Sequence, residues 1–235
     1  MMTPVSTVNQ NEKSKFDAHQ SHWWDKNGPL KTLHDINPTR LNFVQEHSDL
    51  ADCNVLDVGC GGGVLCEAMA EHAKSVTGID IVSSAIETAI DHANQAKLTI
   101  RYLNTPIEDL SESQFDVITC MEMLEHVDSP DIVIKHCYRL LKNQGWLLLS
   151  TINRTAIAYA QVILAAEYLL NVLPRQTHDF NKFIKPSELS RICREHGFEV
   201  IDIKGLKYNP FTRQSWLNDQ PNVNYLLACR KCVQE

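Results

Sequence analysis

Four glycines crowd into VLDVGCGGG, at Gly59, Gly61, Gly62 and Gly63, and an aspartate, Asp80, stands in the run GIDI twenty-one residues after the first of them. A strand that runs into glycines and then into a helix from about Val64 makes a cradle. The backbone can turn tightly there, a ligand can approach the amides, and the helix N-terminus favours negative groups. Asp80, at the end of a second strand, stands where a carboxylate reaches the hydroxyls of a ribose. A second cluster, EMLEH, places Glu122, Glu125 and His126 within about one turn. Two carboxylates and an imidazole can hold a divalent cation such as magnesium, which would make a coordinated hydroxyl more acidic. Alternatively His126 is a general base without metal, or the three side chains only shape the loop. Glu122 and His126 are the candidate catalytic groups.

Such groups need a scaffold, and the chain supplies one by alternation. Short β-rich runs, NVLDVG, SVTGIDI, LTIRYL, FDVITCME and GWLLLSTI, alternate with helical patterns, VLCEAMAEHA, SSAIETAIDHANQA with Ser83 as a cap, and DIVIKHCYRLLK after Pro130. That is the signature of a parallel sheet covered by helices, an α/β fold of Rossmann-like, doubly wound type. PSELSRICREHGF reads as a further helix, and EVIDIKGL and VNYLLACR as two last strands, for seven in all. The expected organisation is one domain over residues 51–235, preceded by a helical extension at 1–50 that can act as a lid.

The spacing of the glycines separates two cofactor classes. A dinucleotide fingerprint wants a small residue five positions after Gly59, and Val64 is there instead. What stands is D-x-G-x-G-x-G, from Asp57 to Gly63, and it resembles motif I of class I S-adenosylmethionine-dependent methyltransferases. FDVITCMEMLEHVDSP and LLKNQGWLLLSTINR are similar to the fourth and fifth strands of that family. The resemblance implies a seven-stranded sheet with an antiparallel last strand and a cleft at the carboxyl ends of the strands. It also implies cofactor contacts from Asp57, Gly61 and Gly63, and from Ile107 and Glu108 beside the adenine.

SHWWD, LKTLHDINPTRL, CMEMLEHV, STINR, AEYLLNVLPRQTHDFNKFIKP and GLKYNP together resemble a narrower group, the ubiquinone-pathway O-methyltransferases, from about Phe16 to Arg230. That likeness implies Arg40, Gly59, Asp80 and Met121 as cofactor contacts, magnesium at Glu122, Glu125 and His126, and polyprenyl-hydroxyphenols and demethylubiquinol as substrates. Arg40 can fork onto the methionine carboxylate. The competing expectation is a soluble methyltransferase of another small phenolic metabolite.

Composition closes off other classes. A net charge of -7 with no basic run argues against nucleic-acid binding. Eight scattered cysteines read as reduced thiols, and CRKC at Cys229 to Cys232 lacks two further ligands for zinc. MMTPVSTVNQNEKSKF has no apolar run, which sets the expectation of a cytoplasmic protein. Ala156 to Leu173 carries Glu167 as its only charge and would make a helix of about 27 Å, with Gln161, Glu167, Tyr168 and Asn171 on one arc. Arg154, Arg175, Lys182 and Lys185 flank it. Residues 154–185 are therefore expected to form a lid that meets anionic lipid at the inner membrane surface and admits the isoprenoid tail, with other enzymes of the pathway as candidate partners. Trp23 and Trp24 are expected on an N-terminal helix, as a cofactor lid or as packing, and His178 with Asp179 as an orienting pair or a loop hydrogen bond.

Overall fold

A computed structural model describes residues 23–111, 114–160 and 179–233. Among the described residues, helix α1, Lys31–His47, comes first. Strand β1, Asn54–Val58, leads to α2, Val64–Ala70, then β2, Ser75–Asp80, α3, Ser83–Ala96, and β3, Arg101–Asn104. Strand β4, Phe115–Met121, is followed by α4, Pro130–Leu140, and β5, Leu141–Ile152. Helix α5, Pro186–Glu195, precedes β6, Phe198–Asn209, β7, Gln214–Asn218, and β8, Asn224–Lys231.

The eight strands form one sheet in the order β3-β2-β1-β4-β5-β8-β6-β7. The first five are parallel, and β8 inserts antiparallel between β5 and β6, as expected of the last strand. Eight strands replace the expected seven, because β7 pairs antiparallel with the far end of β6 at the sheet edge. Its sequence, QSWLN, is short and largely polar, so no apolar run announces it. Ser83 is the first helical residue of α3 and not its cap, which is Val82.

Period-two alternation explains how both faces are covered. Leu147 and Leu149 of β5, with Tyr225, Leu227 and Cys229 of β8, face Val133, Ile134 and Cys137 of α4 and Leu189 and Cys193 of α5. Leu148, Leu226 and Ala228 face the other way, onto Phe43 and Val44 of α1, Leu65 and Met69 of α2 and Ala89 of α3. A sheet buried on both faces needs runs such as WLLLS and NYLLAC, apolar at consecutive positions. Residues 31–50 thus contribute Ile36, Phe43, Val44 and Leu50 to the core.

The strand order reverses between β1 and β4, so their carboxyl ends diverge into a crevice. The glycine turn leaves β1 there, and Glu122 leaves β4.

Trp23 and Trp24 lie in a series of turns before α1, not on a helix, since Gly28 and Pro29 interrupt the chain ahead of Lys31. Of the expected lid helix at 156–173, only the turn Ala156–Ala158 and the residues up to Ala160 are described; Gln161 to Leu173, Arg175 and His178 lie outside the described residues. Asp179 caps a single turn, Phe180–Lys182, by accepting a hydrogen bond from the Asn181 amide at 2.9 Å, which is the loop bond expected for it. All eight cysteines are free.

Candidate active site

The glycine turn is fixed first by the backbone. The amides of Gly59 and Cys60 donate to the carbonyl of Ile79, at 2.9 and 3.1 Å, and Gly59 and Gly61 adopt φ of +74° and +52°, which side chains rarely tolerate. Asp80, at the end of β2, ties the turn down: one carboxylate oxygen accepts from the Gly61 amide and the other from the Val82 amide, both at 2.9 Å. Burial raises the Asp80 pKa, and the amide hydrogen bonds work against that rise. Each oxygen keeps a lone pair for a further donor.

The indole of Trp23, only 7% exposed, lies on this turn. A Cβ at Gly61 would sit 2.3 Å from Trp23 Cη2, and one at Gly62 would sit 2.5 Å from its Cγ. Beside it, Trp24 donates from Nε1 to the Gly62 carbonyl at 2.9 Å and stacks on His92 of α3 at 3.4 Å. The two tryptophans therefore clamp the turn against the protein. Nothing in WWD as a motif distinguishes this contact from ordinary packing.

Asp57, the first residue of the motif, is turned inward. It is 3% exposed, its Oδ1 accepts from the Thr119 hydroxyl at 2.6 Å, and its Oδ2 accepts from the Cys66 thiol at 3.3 Å. Burial pushes its carboxyl up to about 6. Its place is beneath the turn, joining β1 to β4.

Across the crevice, Arg40 of α1 is buried, 5% exposed, and ion-paired through Nη2 with Glu122 Oε2. Its Nε has no hydrogen-bond partner among the described residues. A buried, always charged guanidinium with an unused donor at the mouth of a glycine cradle fits an anionic ligand, and a carboxylate fits its fork. Met121 closes β4, 7% exposed. Ile107 and Glu108 lie in the single turn Ile107–Asp109 after β3; Ile107 is buried and Glu108 half-buried. Arg139 of α4 anchors that turn by donating to the Ile107 and Leu110 carbonyls, at 3.3 and 2.9 Å.

The triplet of the sequence does not assemble into a metal centre. Glu122 Oε1 accepts from the Ser150 hydroxyl at 2.6 Å, while Glu125 Oε2 accepts from the Thr151 hydroxyl at 2.7 Å. Ser150 and Thr151 are successive residues of β5, so their side chains project to opposite faces and draw the two carboxylates apart. Among the described residues, no group of three or more His, Cys, Asp or Glu side chains is placed to hold a metal ion. As placed, the residues do not fit magnesium, and the expectation of a metal at Glu122, Glu125 and His126 finds no support. Close spacing in sequence misled because the turn Leu124–His126 sends Glu125 into the core, where it is 3% exposed. His126 ends that turn, half-buried. Ser150 is the site residue that sequence reasoning missed; it stood in STINR with nothing to mark its hydroxyl as turned toward β4.

A glycine turn, a carboxylate at the end of β2 and a buried arginine at the switch point of a doubly wound sheet are the arrangement expected of the class I methyltransferases. The profile of the family described as "Methyltransferase domain" matches residues 32–203. The likeness to solved structures supports the fold: the magnesium protoporphyrin IX methyltransferase from Synechocystis with bound SAM gives a TM-score of 0.65 at 16% identity, covering 97% of this chain and 100% of that one. The [4+2]-cyclase SpnF gives 0.68 at 18% identity, with 98% of both chains covered, so this fold alone does not define the chemistry. Sequence does more. The ubiquinone biosynthesis O-methyltransferase of Pseudomonas aeruginosa is 47% identical over 230 residues, 97% of this chain and 99% of the relative. The chain belongs to the ubiquinone biosynthesis O-methyltransferase family.

Proposed function

We propose that this protein transfers a methyl group from S-adenosylmethionine to a phenolic hydroxyl of polyprenylated ubiquinone precursors, catechol or demethylubiquinol in type. The observation that carries this reading is the 47% identity to an enzyme of that name along almost the whole of both chains. The geometry of the cleft agrees with it. Arg40 would take the methionine carboxylate, Asp80 the ribose hydroxyls, Gly59 the close backbone approach, and the turn at Ile107 and Glu108 the adenine. When bound, S-adenosylmethionine supplies a methyl group already activated on a sulfonium.

What remains for the protein is to hold the acceptor oxygen in line, exclude water and remove a proton from a phenol whose free pKa is about 10. His126, half-buried at the end of the turn that follows β4, is the residue of the triplet assigned to take that proton, from the hydroxyl oxygen onto an imidazole nitrogen.

The isoprenoid tail directs attention to residues 154–185. Among the described residues, no helix is long and apolar enough to cross a membrane. Within this segment Tyr159, Phe180 and Phe183 form an aromatic cluster, with ring centroids 5.4 and 5.6 Å apart; Phe183 is buried, while Ile157 and Tyr159 are exposed. An apolar surface of this kind can meet the tail at a lipid interface. The basic rim is weaker than its sequence implies, because Arg154 is paired with Glu188 and Lys182 lies 3.9 Å from Asp128. Contact with lipid therefore rests mainly on apolar burial. Other enzymes of the pathway are the natural neighbours of a protein working at such a surface.

The experiment is methyl transfer from S-adenosylmethionine to a short-chain polyprenyl catechol, run with and without chelator. Turnover that survives the chelator is expected; transfer only to unprenylated phenols would assign the protein to another small-molecule pathway. Liposome sedimentation of the wild type against Ile163→Glu with Leu170→Glu tests the lipid surface, and equal binding by the two folded proteins would remove it.

A further inference from the structure

We propose that Ser150 and Glu122 are positioning residues that aim Arg40 at the carboxylate of the cofactor's methionine part. The proposal rests on the reading that the cleft holds S-adenosylmethionine, and it gives Glu122 a role other than metal ligand or base. Ser150 sits beside Met121 in the register of β4 and β5 and is 1% exposed. Its Oγ makes two bonds to the same residue: it donates to Glu122 Oε1 at 2.6 Å and accepts from the Glu122 amide at 3.0 Å. That amide also reaches the Ser150 carbonyl at 3.1 Å. Glu122 is thereby held at φ +50°, a left-handed conformation uncommon for a long side chain and kept only where the surroundings over-determine it.

The consequence lies at the other carboxylate oxygen. With Oε1 fixed by Ser150, Oε2 meets Arg40 Nη2 and holds that end of the guanidinium in place. Its Nε, buried and without a partner among the described residues, is then left for an incoming carboxylate. The pairing also offsets the cost of burying the guanidinium before the ligand arrives. A chain of three side chains, from β5, the bend after β4 and α1, thus presets one donor across the cleft.

Calorimetric binding of two ligands to the whole protein tests this. S-adenosylhomocysteine carries the amino-acid carboxylate; 5′-methylthioadenosine has the same nucleoside without it. Ser150→Ala and Glu122→Gln are expected to weaken S-adenosylhomocysteine by about tenfold, as for a misaligned charged hydrogen bond, and to leave methylthioadenosine within about twofold. Methylthioadenosine binding also reports that each variant is folded. Unchanged affinity for S-adenosylhomocysteine would overturn the proposal, and so would an equal loss for both ligands, which is the mark of a merely structural role. Failure of the wild type to bind either ligand would overturn the cofactor reading itself, and the positioning role with it.

Discussion

Replacing Asp57 by Asn should change how stability depends on pH more than it changes stability at any one pH. Asp57 is 3% exposed beneath the glycine turn, with Thr119 and Cys66 donating to its two oxygens. Burial outweighs those bonds and the nearby charge of Arg40, moving the carboxyl from its ordinary 3.8 up to about 6. At about 1.4 kcal/mol per pH unit, that difference corresponds to about 3 kcal/mol against the ionised folded form. Because the folded pKa lies above the unfolded one, the contribution is fully present below about pH 4 and is lost as pH rises through about 6. The folded state binds more protons than the unfolded state across that window, so its stability falls. Asparagine has nearly the same shape and no charge, and every other carboxylate is common to both proteins. Urea unfolding of wild type and Asp57→Asn, at steps between about pH 4 and about pH 8, therefore isolates the one group. The wild type's stability relative to the variant should decline by about 3 kcal/mol up to about pH 6.5 and then level off. The new amide facing the Cys66 sulfur would shift the whole curve without altering its slope. A difference that stays flat, or that grows with pH, would refute the account of Asp57 as a buried carboxyl dominated by desolvation.

His126→Ala should lower methyl transfer to a short-chain polyprenyl catechol by about 10² to 10⁴-fold while leaving S-adenosylhomocysteine affinity in place, measured by turnover and calorimetry; an undiminished rate would take the proton from some other group. Gly62→Ala places a Cβ 2.5 Å from Trp23 Cγ and should cost about 1–3 kcal/mol in urea unfolding. If that contact is the cause, the same substitution made in Trp23→Ala should cost much less, and equal costs in the two backgrounds would remove the clamp.

The parallel half of the sheet was legible because each buried strand is a short apolar run set off by helical periodicity, and β1, β2, β4 and α3 fall where those patterns place them. Strand β7 was not, since Ser215 and Trp216 take their meaning from pairing with Tyr208 and Lys207 of β6, a long-range fact. The cradle and Asp80 were legible for a local reason: a strand, a glycine turn and a helix are contiguous, and the carboxylate follows at the end of the next strand. Glu122, Glu125 and His126 failed as a metal set for the opposite reason. Their neighbours in sequence suggest convergence, and the hydroxyls that separate them, on Ser150 and Thr151, come from another strand.

The glycines of the motif, alike in sequence, answer to different constraints. Gly59 has a positive φ, and a Cβ there would meet Met123 Cγ at 2.5 Å, so both the turn and the side chain after β4 require it. At Gly61 and Gly62 the neighbour is Trp23, which comes from the segment before α1 and presses on the turn from outside. At Gly63 it is the Tyr102 hydroxyl, 2.3 Å from a Cβ, reaching over from β3. A ligand's approach is one reason for glycine in such a turn, and close packing by the protein itself is another. Trp23 leaves no room for a Cβ at Gly61 or Gly62, so the segment carrying it borders the glycine turn. The stacking of Trp24 on His92 and its bond to Gly62 fix that border to α3 and to the turn. Trp23 and Trp24 are therefore part of the packing that encloses the glycine turn.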